Sequence, residues 1–213
     1  MPSYVEGVGP YKTLAVYDEH AQEMAQTAII YKNEFVLERY DFMPFALMRR
    51  DPVVGYKHST YGSLLARFGS EKGSYHIGSV HLHSGIDANV RFRQIQRIKN
   101  QVLSAREKDE PIVFGGDCNF GLPGERRRAM RFLSPEFTCV SRDIGPTLDG
   151  RYSENVAHLP NRIGAVCRML HVPARLRTDQ LFVDADSAHD LSWKCGTLPD
   201  RVSDHSPVVL TLG

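Results

Sequence analysis

Polar side chains able to do chemistry stand at the ends of two apolar runs. His81 and His83 lie in VHLHS, and Asp117 and Asn119 lie in GGDCNF, directly after the apolar run PIVF. Alternate side chains of a strand share a face, so the two histidines point together, and so do the carboxylate and the amide. A carboxylate beside an amide can hold a metal, orient a water or donate to a phosphate oxygen.

The H-x-H spacing also allows a different chemistry. Histidines at this spacing bind zinc in some hydrolases, and His81 with His83 would supply two such ligands. No third ligand accompanies the pair in the sequence. A zinc hydrolase built on His81 and His83 is therefore an alternative hypothesis.

Two further motifs lie towards the end of the sequence. Asp179 begins the apolar run DQLFVDAD, where a carboxylate can accept a hydrogen bond from a histidine ring and fix its tautomer. Asp204 and His205 lie in VSDHSPV, before the last apolar run. An aspartate next to a histidine offers a hard oxygen ligand and a titratable base. Taken alone, each motif is equally typical of a surface turn or of a strand start.

Taken together, the four motifs resemble the endonuclease/exonuclease/phosphatase superfamily. They follow the order H-L, G-D-x-N, D-x-(I/L)-F and S-D-H-x-P-V, and each is attached to a predicted strand. The resemblance runs from about Tyr11 to the end of the sequence. It implies metal-dependent hydrolysis of a phosphoester, above all a phosphodiester, by in-line attack of an activated water.

The resemblance also implies a role for each residue. His81 is similar to the histidine that contacts the scissile phosphate. Asp117 is similar to the aspartate that positions or deprotonates the water, and Asn119 to the amide that orients the water or the phosphate. His205 resembles the histidine that steadies the transition-state charge, and Asp179 resembles the acid that orients it.

The implied cofactor is Mg²⁺ or Mn²⁺, because these ions suit an oxygen-rich site better than zinc does. Its implied ligands or close partners are Asp117, Asn119 and Asp204. We therefore expect a divalent ion to assist the reaction by binding the phosphate oxygens.

The beginning of the chain departs from the family pattern. Members start with a strand bearing an asparagine, followed by a strand ending in Gln-Glu whose carboxylate is the principal metal ligand. Gln22-Glu23 follows a polar run, and Glu6 has no apolar strand leading into it. We therefore expect an N-terminally truncated domain. A catalytically impaired relative, which binds phosphorylated ligands or a partner, is a second alternative.

The substrate is only coarsely specified by the sequence. A segment from about residue 145 to 177 contains Arg151 and Arg162, which are suited to gripping phosphate and are the expected substrate-binding residues. The expected partners are a phosphodiester or phosphomonoester substrate, including nucleic acid and phospholipid headgroups. The run Arg126-Arg127-Arg128 is more typical of a solvated helix face than of a nucleic-acid contact.

The elements that must position these residues alternate along the chain. Strands are predicted at residues 11–16, 27–31, 35–42, 63–68, 76–83, 111–116, 179–186 and 205–212, with a weaker candidate in HDLSWKC. Helices are predicted after a cap near Asp87, in ERRRAMRFL and around residues 161–170. The pattern predicts one domain over residues 1–213, with an α/β (α+β) fold. The family resemblance implies a four-layer sandwich of two mixed β-sheets flanked by helices.

Composition excludes several classes. The 213 residues carry 26 Lys+Arg against 25 Asp+Glu, so no broad cationic field holds a polyanion and any nucleic-acid contact must be local. Four cysteines without a C-x-x-C pair indicate reduced thiols rather than a zinc cluster or a disulfide framework. The visible sequence has no secretory leader or membrane span, so the expected location is cytoplasmic.

Overall fold

The computed structural model describes residues 3–18, 23–45, 61–84, 87–107, 109–120, 123–149, 175–176, 178–190, 193–197 and 208–212. Its strands are β1 (Ser3–Val8), β2 (Tyr11–Asp18), β3 (Glu23–Lys32), β4 (Val36–Pro44), β5 (Gly62–Ser70), β6 (Gly73–His81), β7 (Ile112–Asp117), β8 (Phe137–Cys139), β9 (Leu148–Asp149), β10 (Arg175–Leu176), β11 (Asp179–Asp184), β12 (Trp193–Thr197) and β13 (Val208–Leu212). Its helices are α1 (Ala88–Ala105), α2 (Pro123–Leu133) and α3 (Ala185–Asp190).

Two sheets organise the described residues. The larger has six strands in the order β4-β5-β6-β7-β11-β8, and the smaller has three in the order β1-β2-β3. Short pairs join β9 to β10 and β12 to β13. The β6–β7 pair is parallel, with α1 as its crossover, whereas the other pairs of the larger sheet are antiparallel. This is the mixed two-sheet α/β fold that the sequence predicts.

The six-stranded sheet buries apolar side chains on both faces. On one face, Ile95 and Ile98 of α1 pack with Phe114 of β7 and Phe182 of β11. On the other face, the smaller sheet covers the larger one through a second cluster: Leu14, Val16, Ile29, Tyr31, Phe42, Leu64, Ala66 and Phe68. Because each strand alternates its side chains, one sheet can support a helical layer and a second sheet together.

Helix α1 begins where the sequence predicts it. Asp87 is its N-cap, and the Asn89 N–H donates to Asp87 Oδ1 at 2.9 Å. Ile95, Ile98 and Val102 are buried at helical spacing. No helix within the described ranges is long and apolar enough to cross a membrane.

The structure corrects the interpretation of the first residues. Glu6 lies in strand β1, opposite Thr13 of β2, although the sequence analysis found no strand leading into it. The apolar pattern of SYVEGV is diluted by Glu6 and Gly7, so pairing with β2 rather than hydrophobicity stabilises this strand. Glu23 begins β3 and is paired with Asp18.

The later elements differ from the predictions in their bounds. The weak strand candidate HDLSWKC is divided between helix α3, which ends at Asp190, and strand β12, which begins at Trp193. The last strand begins at Val208. The predicted helix around residues 161–170 lies outside the described residues.

Candidate active site

Three strand ends bring polar side chains into one row. His81 ends β6 and is paired with Asp117, the last residue of the parallel strand β7. Asp117 is in turn paired with Asp179, the first residue of the antiparallel strand β11. We call the row of His81, Asp117 and Asp179 the polar rim. Its members come from distant parts of the sequence, and strand pairing alone makes them neighbours.

Two glycines allow the strands to meet closely below the rim. A Cβ on Gly116 would lie 2.2 Å from the Val80 carbonyl oxygen, and one on Gly115 would lie 2.2 Å from the Gln180 carbonyl oxygen. Gly116 also has φ +142°, a backbone conformation that other residues rarely adopt. The pair before Asp117 is therefore required by backbone packing.

Asn119 fixes the loop that follows β7. It has φ +49°, and its backbone N–H donates to Asp117 Oδ1 at 2.9 Å. Its side-chain Nδ2 donates to the Leu82 carbonyl oxygen, also at 2.9 Å. Nδ2 thus forms a hydrogen bond with the segment that follows β6. The amide oxygen Oδ1 is therefore the atom of Asn119 that would bind a metal ion.

His81 faces Asp117 across a short gap. Its Nε2 lies 3.6 Å from Asp117 Oδ2, and the side chains are 24% and 20% exposed. This distance is longer than a direct hydrogen bond. A single oxygen, such as that of a water molecule, could form hydrogen bonds with both groups. Partial exposure keeps the pair accessible to a ligand.

Tyr61 supports both histidines and was missed by the sequence analysis. Its ring lies edge-on to His81, with the ring centroids 4.6 Å apart, and to His83, at 5.9 Å. The Tyr61 hydroxyl forms a 2.6 Å hydrogen bond with Ser84 Oγ. A lone tyrosine far from every motif gives no sequence signal for this role.

Asp179 is held by two threonines that no motif revealed. Thr178 Oγ1 donates to Asp179 Oδ2 at 3.0 Å. The backbone N–H groups of Thr178 and Asp179 donate to Thr147 Oγ1 at 3.2 and 3.1 Å. Both threonines are buried, so the start of β11 is fixed by a polar contact inside the protein.

Cys118 lies behind the carboxylates. It is fully buried, and burial raises the pKa of its thiol, with the negative charges of Asp117 and Asp179 as further causes. The thiol is therefore protonated at neutral pH. We assign Cys118 to packing rather than to nucleophilic chemistry.

Helix α1 anchors His83 through its backbone. The His83 N–H donates to Gln94 Oε1 at 3.0 Å, and Arg91 Nη1 donates to the His83 carbonyl oxygen at 3.2 Å. Arg91 also forms a two-contact ion pair with Glu125 of α2, including Nη2 to Oε2 at 3.0 Å. Arg91 and Glu125 are 4% and 7% exposed, so this ion pair joins both helices inside the protein.

One group of possible metal ligands lies at the opposite end of β6. Among the described residues, only His76, Glu107 and Glu110 bring three such ligand atoms within 4.8 Å of one another. Arg67 forms ion pairs with both glutamates, and His76 Nε2 lies 2.9 Å from Glu110 Oε2. The Arg67 guanidinium therefore already neutralises these carboxylates, and we interpret the cluster as an ion-pair network.

The zinc alternative receives no further ligand from the described residues. Within them, no other histidine, cysteine or carboxylate joins His81 and His83 in a three-ligand group. Both rings do lie against Tyr61, as the H-x-H spacing predicts for a shared face.

Four predicted site residues lie outside the described residues: Arg151, Arg162, Asp204 and His205. The partnership of His205 with Asp179, the metal role of Asp204 and the substrate contacts of the two arginines stay predictions. The structure brings together His81, Asp117, Asn119 and Asp179.

Comparisons with known proteins agree on the fold. TDP2 from Caenorhabditis elegans superimposes with a TM-score of 0.67 at 17% identity, covering 95% of this chain and 57% of that one. Danio rerio TDP2, in complex with a single-strand DNA product, gives 0.66 at 15% identity, over 96% and 77% of the two chains. A Bacteroides thetaiotaomicron mannosyl-6-phosphatase gives 0.63 at 16%, over 97% and 78%.

No family model and no curated protein matches the sequence. The solved structures therefore identify the fold, which is the one expected from the endonuclease/exonuclease/phosphatase resemblance. The chain spans little more than half the length of the Caenorhabditis elegans protein.

Proposed function

We propose that this chain is a phosphoester hydrolase that uses a water molecule activated at the polar rim. The observation that carries the proposal is the register that places His81, Asp117 and Asp179 side by side at three strand ends. The fold is shared with a phosphatase and with a protein solved with a DNA product, which supports phosphoester chemistry.

Asp117 is the group that orients the water and accepts its proton. Its Oδ1 already accepts the Asn119 N–H, which fixes the plane of the carboxylate, while Oδ2 faces His81. A carboxylate held in this way can align a water for in-line attack on phosphorus.

His81 is the group that donates to a phosphate oxygen. Its ring is held edge-on by Tyr61, and its Nε2 lies on the Asp117 side of the rim. A donor fixed before the reaction stabilises the charge that develops on the phosphoryl oxygens.

The donor chemistry at the rim fits a hard divalent cation. Carboxylate oxygens of Asp117 and the amide oxygen of Asn119 are ligands that Mg²⁺ and Mn²⁺ prefer, and Asp204 is the further ligand expected from the sequence. Such an ion, when bound, would neutralise charge on the phosphate oxygens.

The test is hydrolysis of bis(p-nitrophenyl) phosphate and p-nitrophenyl phosphate by residues 1–213. We expect turnover with Mg²⁺ or Mn²⁺, its loss in EDTA, and its return when either ion is added back. Faster turnover of the diester than of the monoester supports a phosphodiesterase.

Two other outcomes contradict the proposal and favour a specific alternative. Return of activity with Zn²⁺ alone supports a zinc hydrolase using His81 and His83. Binding of inorganic phosphate without turnover of either ester, in protein shown to be folded by circular dichroism, supports the catalytically impaired phosphate-binding domain.

A further inference from the structure

A basic groove lies beside the six-stranded sheet, on the side of β8. It has a volume of about 1100 Å³ and is lined by α2, by β8, by the turn that follows β8, and by a few residues of β11 and β12. Arg126, Arg127 and Arg131 of α2 and Arg142 of the turn line it together with one carboxylate, that of Asp143. The four guanidinium groups and one carboxylate give a local charge of +3 (4 − 1), in a chain whose net charge is +1.

The arginine run of α2 is divided by the fold. Arg128 lies over the Phe92 ring of α1, with its Cζ 3.9 Å from the ring centroid. Arg126 and Arg127 line the groove instead, and Arg126 Nη2 donates to the Arg142 carbonyl oxygen at 3.1 Å. The run is therefore largely exposed, as the sequence interpretation of a solvated helix face expects, but its members face two different neighbours.

Among the described residues, three of the arginines that line the groove lack the carboxylate partners that other arginines of the protein have. Arg91, Arg67 and Arg106 each form an ion pair with a carboxylate. In the part of the chain that the structure describes, no carboxylate lies within 4.0 Å of the guanidinium groups of Arg126, Arg127 or Arg131. No carboxylate of the described residues therefore neutralises these three charges.

The turn that lines the groove is bonded to β11, the strand that begins at Asp179 of the polar rim. The turn after β8 follows β11: the Val140 N–H donates to the Leu181 carbonyl oxygen, and Ser141 Oγ accepts the Leu181 N–H at 2.9 Å. A few residues later, Thr147 Oγ1 accepts the N–H of Asp179 at the rim. The groove and the rim are therefore connected through β11 and the turn after β8, although no rim residue lines the groove itself.

We propose that this groove binds the phosphodiester backbone of a single-stranded nucleic acid. Arg127 and Arg131 are one helical turn apart, about 6 Å along the axis, which is comparable with one nucleotide step of an extended strand. Arginine's planar fork matches phosphate oxygens, and a positively charged groove is the usual way to follow a strand without reading its sequence. The choice of a nucleic acid over an acidic peptide rests on the proposed phosphoesterase function of this chain.

The test is to measure, by fluorescence polarisation in the presence of EDTA, the binding of a fluorescein-labelled oligothymidylate of about 12 nucleotides. The first variant is Arg127→Glu/Arg131→Glu, and the milder second is Arg127→Gln/Arg131→Gln. The control is Lys32→Glu/Lys72→Glu, which changes the net charge as much as the first variant does, at two exposed lysines away from the groove.

We expect the glutamate variant to bind about tenfold or more weakly and the glutamine variant to be intermediate, whereas the control stays within about twofold of wild type. Loss of two phosphate contacts should also make the salt dependence shallower, by about 1.4 in the slope of log K against log salt. Undetectable binding by wild type, equal losses in the control and the glutamate variant, or equal competition by polyglutamate would overturn the proposal.

Hydrolysis of bis(p-nitrophenyl) phosphate separates this inference from the proposed function. The groove variants should retain wild-type turnover of this small ester, since it is too short to occupy the groove. If neither the wild type nor the groove variants hydrolyse this ester while oligonucleotide binding still depends on the arginines, the proposed function fails and the proposal for the groove is upheld. If turnover persists without arginine-dependent binding, only the groove is refuted.

Discussion

His81 and Asp117 occupy paired positions on two parallel strands, with His81 Nε2 3.6 Å from Asp117 Oδ2. The same row continues to Asp179 on the antiparallel strand β11. Groups placed on neighbouring strands are held more accurately than groups on loops. The geometry of the rim therefore depends on the backbone contacts directly below it.

The close approach at Gly116 provides the first prediction. Gly116→Ala places a Cβ 2.2 Å from the Val80 carbonyl oxygen, at a φ of +142° that alanine rarely adopts. We expect the free energy of unfolding to fall by about 3 kcal/mol, measured by urea denaturation. Gly124→Ala is the control, because its Cβ would meet no atom within 4 Å, and it should be neutral or slightly stabilising. Equal effects of the two substitutions would disprove the strand contact.

The buried ion pair of Arg91 and Glu125 provides the second prediction. Arg91→Met removes the donor to the His83 carbonyl oxygen and leaves Glu125, only 7% exposed, without its cation. We expect a loss of about 3–5 kcal/mol in unfolding free energy, because an unpaired buried charge is costly. The double variant Arg91→Met/Glu125→Met should lose less than the sum of the single variants. Strict additivity in this double-mutant cycle would show that the two side chains do not interact.

The ion-pair network at the other end of β6 provides a pH-dependent prediction. The hydrogen bond from Arg67 is the main reason why the pKa of Glu110 is lowered from its ordinary value of 4.5. A lowered pKa in the folded state means that ionised Glu110 favours folding above about pH 4.5, and that this contribution is lost as the pH falls through the folded-state pKa.

Glu110→Gln should therefore be less stable than wild type at about pH 7, and the difference should shrink as the pH falls below about 4.5. Urea midpoints measured across this pH range test the prediction. The exposed Glu34, whose side chain is 64% exposed, gives the control Glu34→Gln, for which little change is expected at any pH. A stability difference for Glu110→Gln that stays constant with pH would contradict the assigned electrostatic role.

Most of the fold was predictable because its strands are short apolar runs separated by turn residues. Strand β1 was missed because Glu6 and Gly7 interrupt the apolar pattern and the strand depends on pairing with β2. The divided segment HDLSWKC shows the same limit, since it contains the end of a helix and the start of a strand, each too short to show a clear period.

The proximity of three candidate residues could be predicted from the sequence, whereas the residues that support them could not. His81, Asp117 and Asp179 each mark a strand end, and the family resemblance suggested that they meet. Tyr61 and Arg91 carry no motif, because their contacts with the histidine segment form only when distant elements pack. Arg91 of α1 is buried together with its partner Glu125 of α2. The spacing of apolar residues along α1 does not specify that partner.

The measurement that tests the account most directly is the effect of Asp117→Asn on metal-dependent diester hydrolysis. The asparagine keeps an acceptor for the Asn119 N–H but loses the charge that orients and deprotonates water in the proposed function. We predict a loss of about 100-fold or more in kcat with an unchanged thermal melt. The control is Asp109→Asn, since Asp109 is exposed with φ +66°, which asparagine also tolerates. Wild-type kcat in Asp117→Asn, or an equal loss in Asp109→Asn, would contradict the claim that the row of His81, Asp117 and Asp179 carries the chemistry.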